Sequence, residues 1–249
     1  MSRTLGLPGG IRACLFDLDG VLTQTATVHA AAWKQMFDAF LRNRAEATGS
    51  TFEPFDLERD YHEYVDGKLR YDGVRSFLAS RGIDLPEGEP SDSSDVDTVI
   101  GLGDRKNELV LSLIRRGVET YPGSLLYVRA AMDAGLRLAI VSASKNCREI
   151  LLSAEIDDLF EEVIDGVVAE REHLSGKPAP DTFLAGARAL RVPPAEAAVF
   201  EDALAGVAAG RAGGFGFVVG VNRSDQSEAL LEHGADVVVS DLAELLERS

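Results

Sequence analysis

Cysteine is scarce in this 249-residue sequence: Cys14 and Cys147 are the only two, which excludes a disulfide framework. A reducing, cytoplasmic setting is the default that follows. Cys14 lies inside an apolar run and reads as a small core residue. Basic residues are also in short supply. There are 25 Lys and Arg against 41 Asp and Glu, a formal net charge of −16. Such a surface repels nucleic acid and anionic membranes, so neither is expected as a partner. An anionic substrate meets the same repulsion, so a phosphate site here needs its own local cluster of cations. No apolar run approaches the roughly 20 residues that span a bilayer. Residues 1–10 lack the charged-then-apolar pattern of a signal peptide. Neither an internal repeat nor a low-complexity tract is present, and a monomer is the default assembly.

What is there is the composition of a globular chain, 45% hydrophobic and 27% charged, long enough for a core domain with a smaller insert. Residues 11–16 form a short apolar run ending in acids and read as a buried strand. Residues 27–47 set Val28, Ala31, Ala32, Met36, Phe37, Phe40 and Leu41 at helical spacing, and 49–54 break that helix. Short helices are expected near 57–65 and 72–80, then a polar loop over 83–97, then a helix from 99 to about 116. No strand signal lies between Thr27 and Arg116, which makes this segment a candidate all-helical insert. After Tyr121 helices and strands alternate. Helices are expected over 124–134, 146–154, 180–190, 203–212, 226–232 and 242–248. Strands are expected over 136–141, 197–200, 215–221 and 236–239, with short extended pieces at 163–164 and 167–168. This rhythm predicts an α/β fold with a parallel sheet covered on both faces. The core would comprise residues 1–26 and 118–249, and the insert 27–117.

Four polar clusters follow expected strands or sit in a sheet-to-helix loop, where open α/β sheets bind ligands. They are Asp17-Leu18-Asp19-Gly20, Ser142-Ala143-Ser144-Lys145, Gly176-Lys177-Pro178 and Glu201-Asp202. Asp17 and Asp19 point the same way if the backbone stays extended. Two close carboxylates do not both stay ionised cheaply unless a cation joins them. Mg2+, with its preference for hard oxygen ligands, is the natural choice, and Gly20 permits a turn. The plainer reading is a solvated acidic turn. Glu201 and Asp202 end a strand and precede a helix of small residues that can pack close to the sheet. They also suit an acidic helix start. Lys177 precedes Pro178, which biases it to extended backbone. A held ammonium there would form charge-assisted bonds to phosphate, although a surface lysine in a turn is the simpler account. The Ser142 hydroxyl and the following N–H groups make an anion seat that Lys145 and Asn146 could also reach. Ser144 is equally a good helix N-cap. Each cluster is weak alone. Acids, hydroxyl, lysine and acids in this order are rarely supplied together by an unrelated chain.

With those residues in view, the sequence resembles the haloacid dehalogenase superfamily of phosphotransferases, whose four motifs look like Asp17-Leu18-Asp19-Gly20-Val21, Ser142, Lys177 and Glu201-Asp202. The likeness covers nearly the whole chain and implies a Rossmann-like core, an inserted all-helical cap domain and Mg2+. By that likeness Asp17 is the nucleophile that forms an aspartyl-phosphate, and Asp19 is the general acid/base. Ser142 and Lys177 hold the phosphoryl group. Asp17, Asp202 and the backbone carbonyl of Asp19 bind the metal, with Glu201 a nearby metal-site carboxylate. A closer likeness is to the β-phosphoglucomutase-like subfamily, carried by Thr23, Thr25, His29, Trp33 and Lys34, by Gly67 and Arg70, and by Arg105-Lys106-Asn107. The runs 142–146 and 177–181 match its core loops. That likeness implies a phosphorylated sugar substrate, with Thr25, His29, Arg70, Lys106, Ala143, Lys145 and Asn146 as its contacts. It also implies interconversion of β-glucose 1-phosphate and glucose 6-phosphate. Trp33 reads as cap packing. Gln24 stands where the family has an acid, Asp66 where the mutases are often basic, and 49–61 is longer than a compact mutase cap needs. A sugar-phosphate phosphatase is therefore the alternative, and a non-catalytic phosphosugar-binding domain the remote one.

Overall fold

The structure, a computed structural model, describes residues 5–114, 117–223 and 225–247. By its internal contacts the chain divides into two compact units, Met1–Thr25 with Val118–Ser249, and Ala26–Gly117.

The first unit is built on six parallel strands: β1 (Ala13–Phe16), β2 (Arg137–Val141), β3 (Glu162–Ile164), β4 (Ala197–Glu201), β5 (Phe217–Val221) and β6 (Val237–Val239). Their spatial order is β3-β2-β1-β4-β5-β6. β1 and β4 are buried along their whole length, as expected of strands covered on both faces. Among the described residues, seven α-helices accompany the sheet: α4 (Pro122–Asp133), α5 (Cys147–Ser153), α6 (Gly166–Arg171), α7 (Asp181–Ala189), α8 (Leu204–Ala212), α9 (Ser227–Glu232) and α10 (Glu244–Glu247). One apolar cluster joins sheet residues Leu15, Val141 and Val199 to Phe183 of α7 and Val207 of α8. The strand order reverses direction between β1 and β4, and that switch point opens a crevice beyond their carboxyl ends. Asp17 follows β1, and Glu201 ends β4, so the topology alone brings two distant acids side by side. The Asp17 N–H donates to Phe200 O at 2.9 Å, continuing the β1–β4 ladder by one rung. Cys14 is fully buried in β1, and both cysteines are free thiols.

One expected pair of extended pieces is corrected. Val163 and Ile164 are strand, but Val167 and Val168 lie in α6. Asp165 Oδ1 accepts from the N–H groups of both, at 3.1 and 2.8 Å, and this N-cap overrides the β preference of two adjacent valines. Elsewhere the expected elements are found within a few residues of their expected ends. The ends expected at Arg116 and Arg248 lie outside the described residues, as do residues 1–4 of the leader reading. No described helix is long and apolar enough to cross a membrane.

The second unit is helical: α1 (Ala26–Thr48), a π-helical turn (Tyr61–Val65), α2 (Arg70–Ser80) and α3 (Val99–Ile114). Residues 83–97 form the expected irregular loop. Trp33, Met36, Phe37, Phe40 and Leu41 make the buried stripe of α1. Phe37 is its centre, with ring centroids 5.3 Å from Trp33, 5.3 Å from Phe55 and 4.1 Å from Phe77. Beside this cluster Asp60 is buried, accepting from Arg81 at 2.6 Å and from Arg59 at 3.0 Å.

Truncating Phe37 empties the middle of that cluster. Phe37→Ala is expected to cost about 3–5 kcal/mol, read as a lowered urea midpoint. A shift too small to measure would show that the cluster does not hold the unit together.

Candidate active site

At the switch point three charged side chains are buried against one another. Lys177 Nζ donates to Asp17 Oδ1 at 2.5 Å, to Glu201 Oε2 at 2.6 Å and to the Val141 carbonyl at 3.3 Å. The side chains of Lys177, Asp17 and Glu201 are only 2%, 8% and 1% exposed, so little water screens them. Burial pulls the Lys177 ammonium below the usual lysine range, but Asp17 and Glu201 outweigh it and hold it above. Glu201 is pushed above the usual carboxylate range by burial and by Asp17, which Lys177 and the Ala203 N–H offset only in part. The Ala203 N–H donates to Glu201 Oε1 at 3.1 Å. Glu201 folds back over α8, where a Cβ on Gly206 would lie 2.0 Å from its carboxyl carbon, so that helix needs glycine at this position.

Asp202 completes a group. Asp17, Glu201 and Asp202 each offer a carboxylate oxygen, all within 4.8 Å of one another and all buried. Gly20 makes room for it: its φ is +83°, and a Cβ there would lie 1.7 Å from Asp202 Oδ2. Three carboxylates face one ammonium. The resulting excess of negative charge suits a hard divalent cation.

Asp19 has partners of its own. The extended backbone ends at Asp17, and the chain then closes a tight turn in which Leu22 and Thr23 N–H donate to the Leu18 carbonyl, each at 3.0 Å. The Asp19 carboxylate consequently lies outside the group of three and accepts a short hydrogen bond from the Thr25 hydroxyl. Thr23 and Thr25 hydroxyls meet at 2.7 Å, and Thr23 donates to the Leu18 carbonyl at 3.1 Å. One acid joins the charge cluster and the other is held by a hydroxyl chain.

Ser142 is buried just past β2, its N–H donating to Ile164 O at 2.9 Å. Its Oγ accepts from Ser144 N at 3.1 Å, and Ser144 Oγ accepts from Asn146 N at 3.2 Å. These two amides are thus used inside the loop, while the Ser142 O–H, accepting from Ser144 N at its oxygen, keeps its own proton to donate. Ala143 is half-buried and Asn146 buried. Lys145, expected to reach a ligand, pairs at 2.8 Å with the exposed Glu170 of α6, a contact that costs little to break.

In the helical unit Lys106 Nζ lies 2.9 Å from His29 Nδ1 and 4.8 Å from the Trp33 ring centroid. Burial, then Lys106 and Arg70, hold His29 well below the usual histidine range. It is therefore neutral, with Nδ1 accepting from the ammonium and the proton on Nε2. Arg70 donates to Asp104 Oδ1 at 3.2 Å and to Asn107 Oδ1 at 2.8 Å. Trp33 packs face to face with Phe37, as its reading as packing anticipates. His62 Nδ1 lies 3.2 Å from the Asp66 carboxylate.

Sequence reasoning missed Arg223, Tyr121 and Gln226, which touch the two acid loops. The sequence signal for Arg223 is position, two residues after the apolar strand β5, whereas Tyr121 directly precedes α4 and Gln226 directly precedes α9, and neither carries a signal of its own.

The fold and this site have counterparts. Residues 11–214 match the haloacid dehalogenase-like hydrolase family. The chain belongs to that family. It is 57% identical to the β-phosphoglucomutase of Mycobacterium tuberculosis, an alignment covering 98% of this chain and 95% of the relative. It is 31% identical to the β-phosphoglucomutase of Bacillus subtilis, covering 94% and 92%. Among solved structures, a β-phosphoglucomutase of Clostridium difficile superposes with a TM-score of 0.72 at 27% identity, covering 94% of this chain and 93% of the other.

Removing the ammonium leaves two buried carboxylates facing each other. In the presence of a chelator, Lys177→Met is expected to cost about 3–5 kcal/mol, measured by urea denaturation. An unchanged midpoint would show that Lys177 does not offset those charges.

Proposed function

We propose that the chain interconverts β-glucose 1-phosphate and glucose 6-phosphate by phosphoryl transfer through Asp17, with Mg2+ held by Asp17, Asp202 and the carbonyl of Asp19, and Glu201 beside them. The observation that carries this reading is the buried group at the switch point, where Lys177 is bonded to both Asp17 and Glu201, with Asp202 beside them. The 57% identity to a β-phosphoglucomutase supports the choice of substrate. The first unit acts as the catalytic core and the helical unit as the cap.

In the resting cycle Asp17 carries a phosphoryl group as an acyl phosphate. Asp19 takes the proton from a sugar hydroxyl, whose oxygen attacks phosphorus as the acyl-phosphate P–O bond breaks. The product is a bisphosphate, and the Asp17 carboxylate is regenerated. After the bisphosphate turns round, a carboxylate oxygen of Asp17 attacks its other phosphate. The departing sugar oxygen takes the proton back from Asp19. The Thr25 hydroxyl, bonded to Asp19, orients that acid for both directions. Mg2+ would supply charge neutralisation at the transferring phosphoryl oxygens. Lys177 and the Ser142 hydroxyl donate to the same oxygens, positioning the group for in-line transfer. Ala143, Lys145 and Asn146 are proposed contacts of the core loop with the substrate. A bisphosphate needs a second cationic group, and Arg70 and Lys106, with His29, are the residues proposed for it.

A coupled assay with β-glucose 1-phosphate and a trace of bisphosphate tests the reading. Glucose 6-phosphate is expected without matching release of free phosphate. Free phosphate alone would mean that water is the acceptor, which is the phosphatase reading. Asp17→Asn should lower turnover about a thousandfold or more, and thorough chelation should abolish it. Activity untouched by either would remove the mechanism, and ligand binding without any turnover in the wild type would favour a non-catalytic module.

A further inference from the structure

The loop between β5 and α9 touches both acid-bearing loops, and nothing in the transfer chemistry above uses it. Arg223 is its main contact. The guanidinium lies 3.5 Å from the centroid of the Tyr121 ring. Its Nε donates to the Gly20 carbonyl at 2.6 Å, one terminal nitrogen reaches the Val21 carbonyl at 3.4 Å, and the other donates to the Ser240 carbonyl at 2.7 Å. Among the described residues Arg223 forms no ion pair. A charged fork whose geometry ordinarily suits a carboxylate is directed here at peptide carbonyls and an aromatic face.

The target of that fork matters. Gly20 is the residue whose missing Cβ makes space for the Asp202 carboxylate. Its N–H is held by the Thr23 carbonyl at 2.8 Å and its carbonyl by Arg223, so the peptides on both sides of Gly20 are fixed. The same loop reaches Asp202 directly, through Gln226 Nε2 to the Asp202 carbonyl at 3.3 Å. The loop is itself braced: Asn222 Oδ1 accepts from Gln226 N at 2.9 Å, its side-chain amide donates to Ser227 Oγ at 2.8 Å, and its N–H donates to Val239 O at 2.8 Å. One short segment therefore ties the turn after β1 to the acid after β4.

We infer that Arg223 is a positioning residue of the phosphoryl-transfer site: by fixing the Gly20 and Val21 carbonyls it holds the turn against which the Asp202 carboxylate is seated, and so sets the affinity of the carboxylate group for its divalent cation. The inference rests on the functional reading above. Arg223 touches neither the reacting atoms nor the cation. Its action passes through backbone, which is how groups around a metal site tune the ligands.

The test is Mg2+ binding to the full chain, followed by isothermal titration calorimetry, for wild type, Arg223→Met and Arg223→Lys. Circular dichroism and the Tm in chelator report the fold. Arg223→Met is expected to raise the Mg2+ Kd about 10–100-fold. Arg223→Lys should recover part of that loss, since one ammonium can still serve the Gly20 carbonyl. At saturating Mg2+ the KM for sugar phosphate should be unchanged in both. A lowered Tm with an unchanged Mg2+ Kd would make Arg223 a packing residue and overturn the inference. If Arg223→Met does not fold, Arg223→Lys decides in the same way, and failure of both to fold also counts against it. Wild type that binds no Mg2+ would remove the functional reading together with this inference. Wild type that binds normally beside unaffected variants removes this inference alone.

Discussion

Two carboxylates and an ammonium share a nearly dry space at the carboxyl ends of β1 and β4, and much of the first unit is arranged to make that tolerable. Burying charge is costly unless each group is paired and hydrogen-bonded. Asp17 and Glu201 each receive Lys177, Glu201 also receives the Ala203 amide, and Lys177 finds a third acceptor in the Val141 carbonyl. The compensation is incomplete, and burial together with Asp17 holds Glu201 above the usual carboxylate range. A cation added here would offset the remaining negative charge.

Around this group small residues decide what can approach what. Gly20 admits the Asp202 carboxylate, and Gly206 admits Glu201. Asp19, two residues from Asp17, lies outside the group of three and is held by Thr25. Two aspartates of the same short motif thus meet different neighbours, which suits the attack on phosphorus proposed for one and the proton exchange proposed for the other. The helical unit has its own cationic group, in which a neutral His29 accepts from Lys106 and Arg70 is held by Asp104 and Asn107. These cations are fixed by hydrogen bonds and an aromatic face rather than left as mobile surface charges.

Much of this was legible in the sequence, for identifiable reasons. Buried strands such as β1 and β4 are continuous apolar runs, and the stripe of α1 follows a helical period, so both leave strong signals. The four polar clusters are recognisable because each follows a strand or enters a helix. What local pattern could not convey depends on turns and long-range pairing. Val167 and Val168 look extended until Asp165 is seen to cap them. The Thr25 hydroxyl that holds Asp19 is set by the turn at 18–23, which two-residue spacing does not convey. The pairing of Lys145 with Glu170 of α6 joins residues 25 positions apart and leaves no local signal. Arg223 looks like an ordinary loop residue, because the Gly20 and Val21 carbonyls it holds lie 203 and 202 positions away in the sequence.

The central claim is that phosphorus becomes bonded to Asp17. Incubating the protein with sugar bisphosphate, quenching rapidly and mapping the acyl phosphate by borohydride reduction and peptide mass spectrometry tests it directly. The account predicts reduction of a single carboxyl, at Asp17, only in samples exposed to the bisphosphate. Label on another residue, or turnover with no acyl phosphate formed, would contradict it.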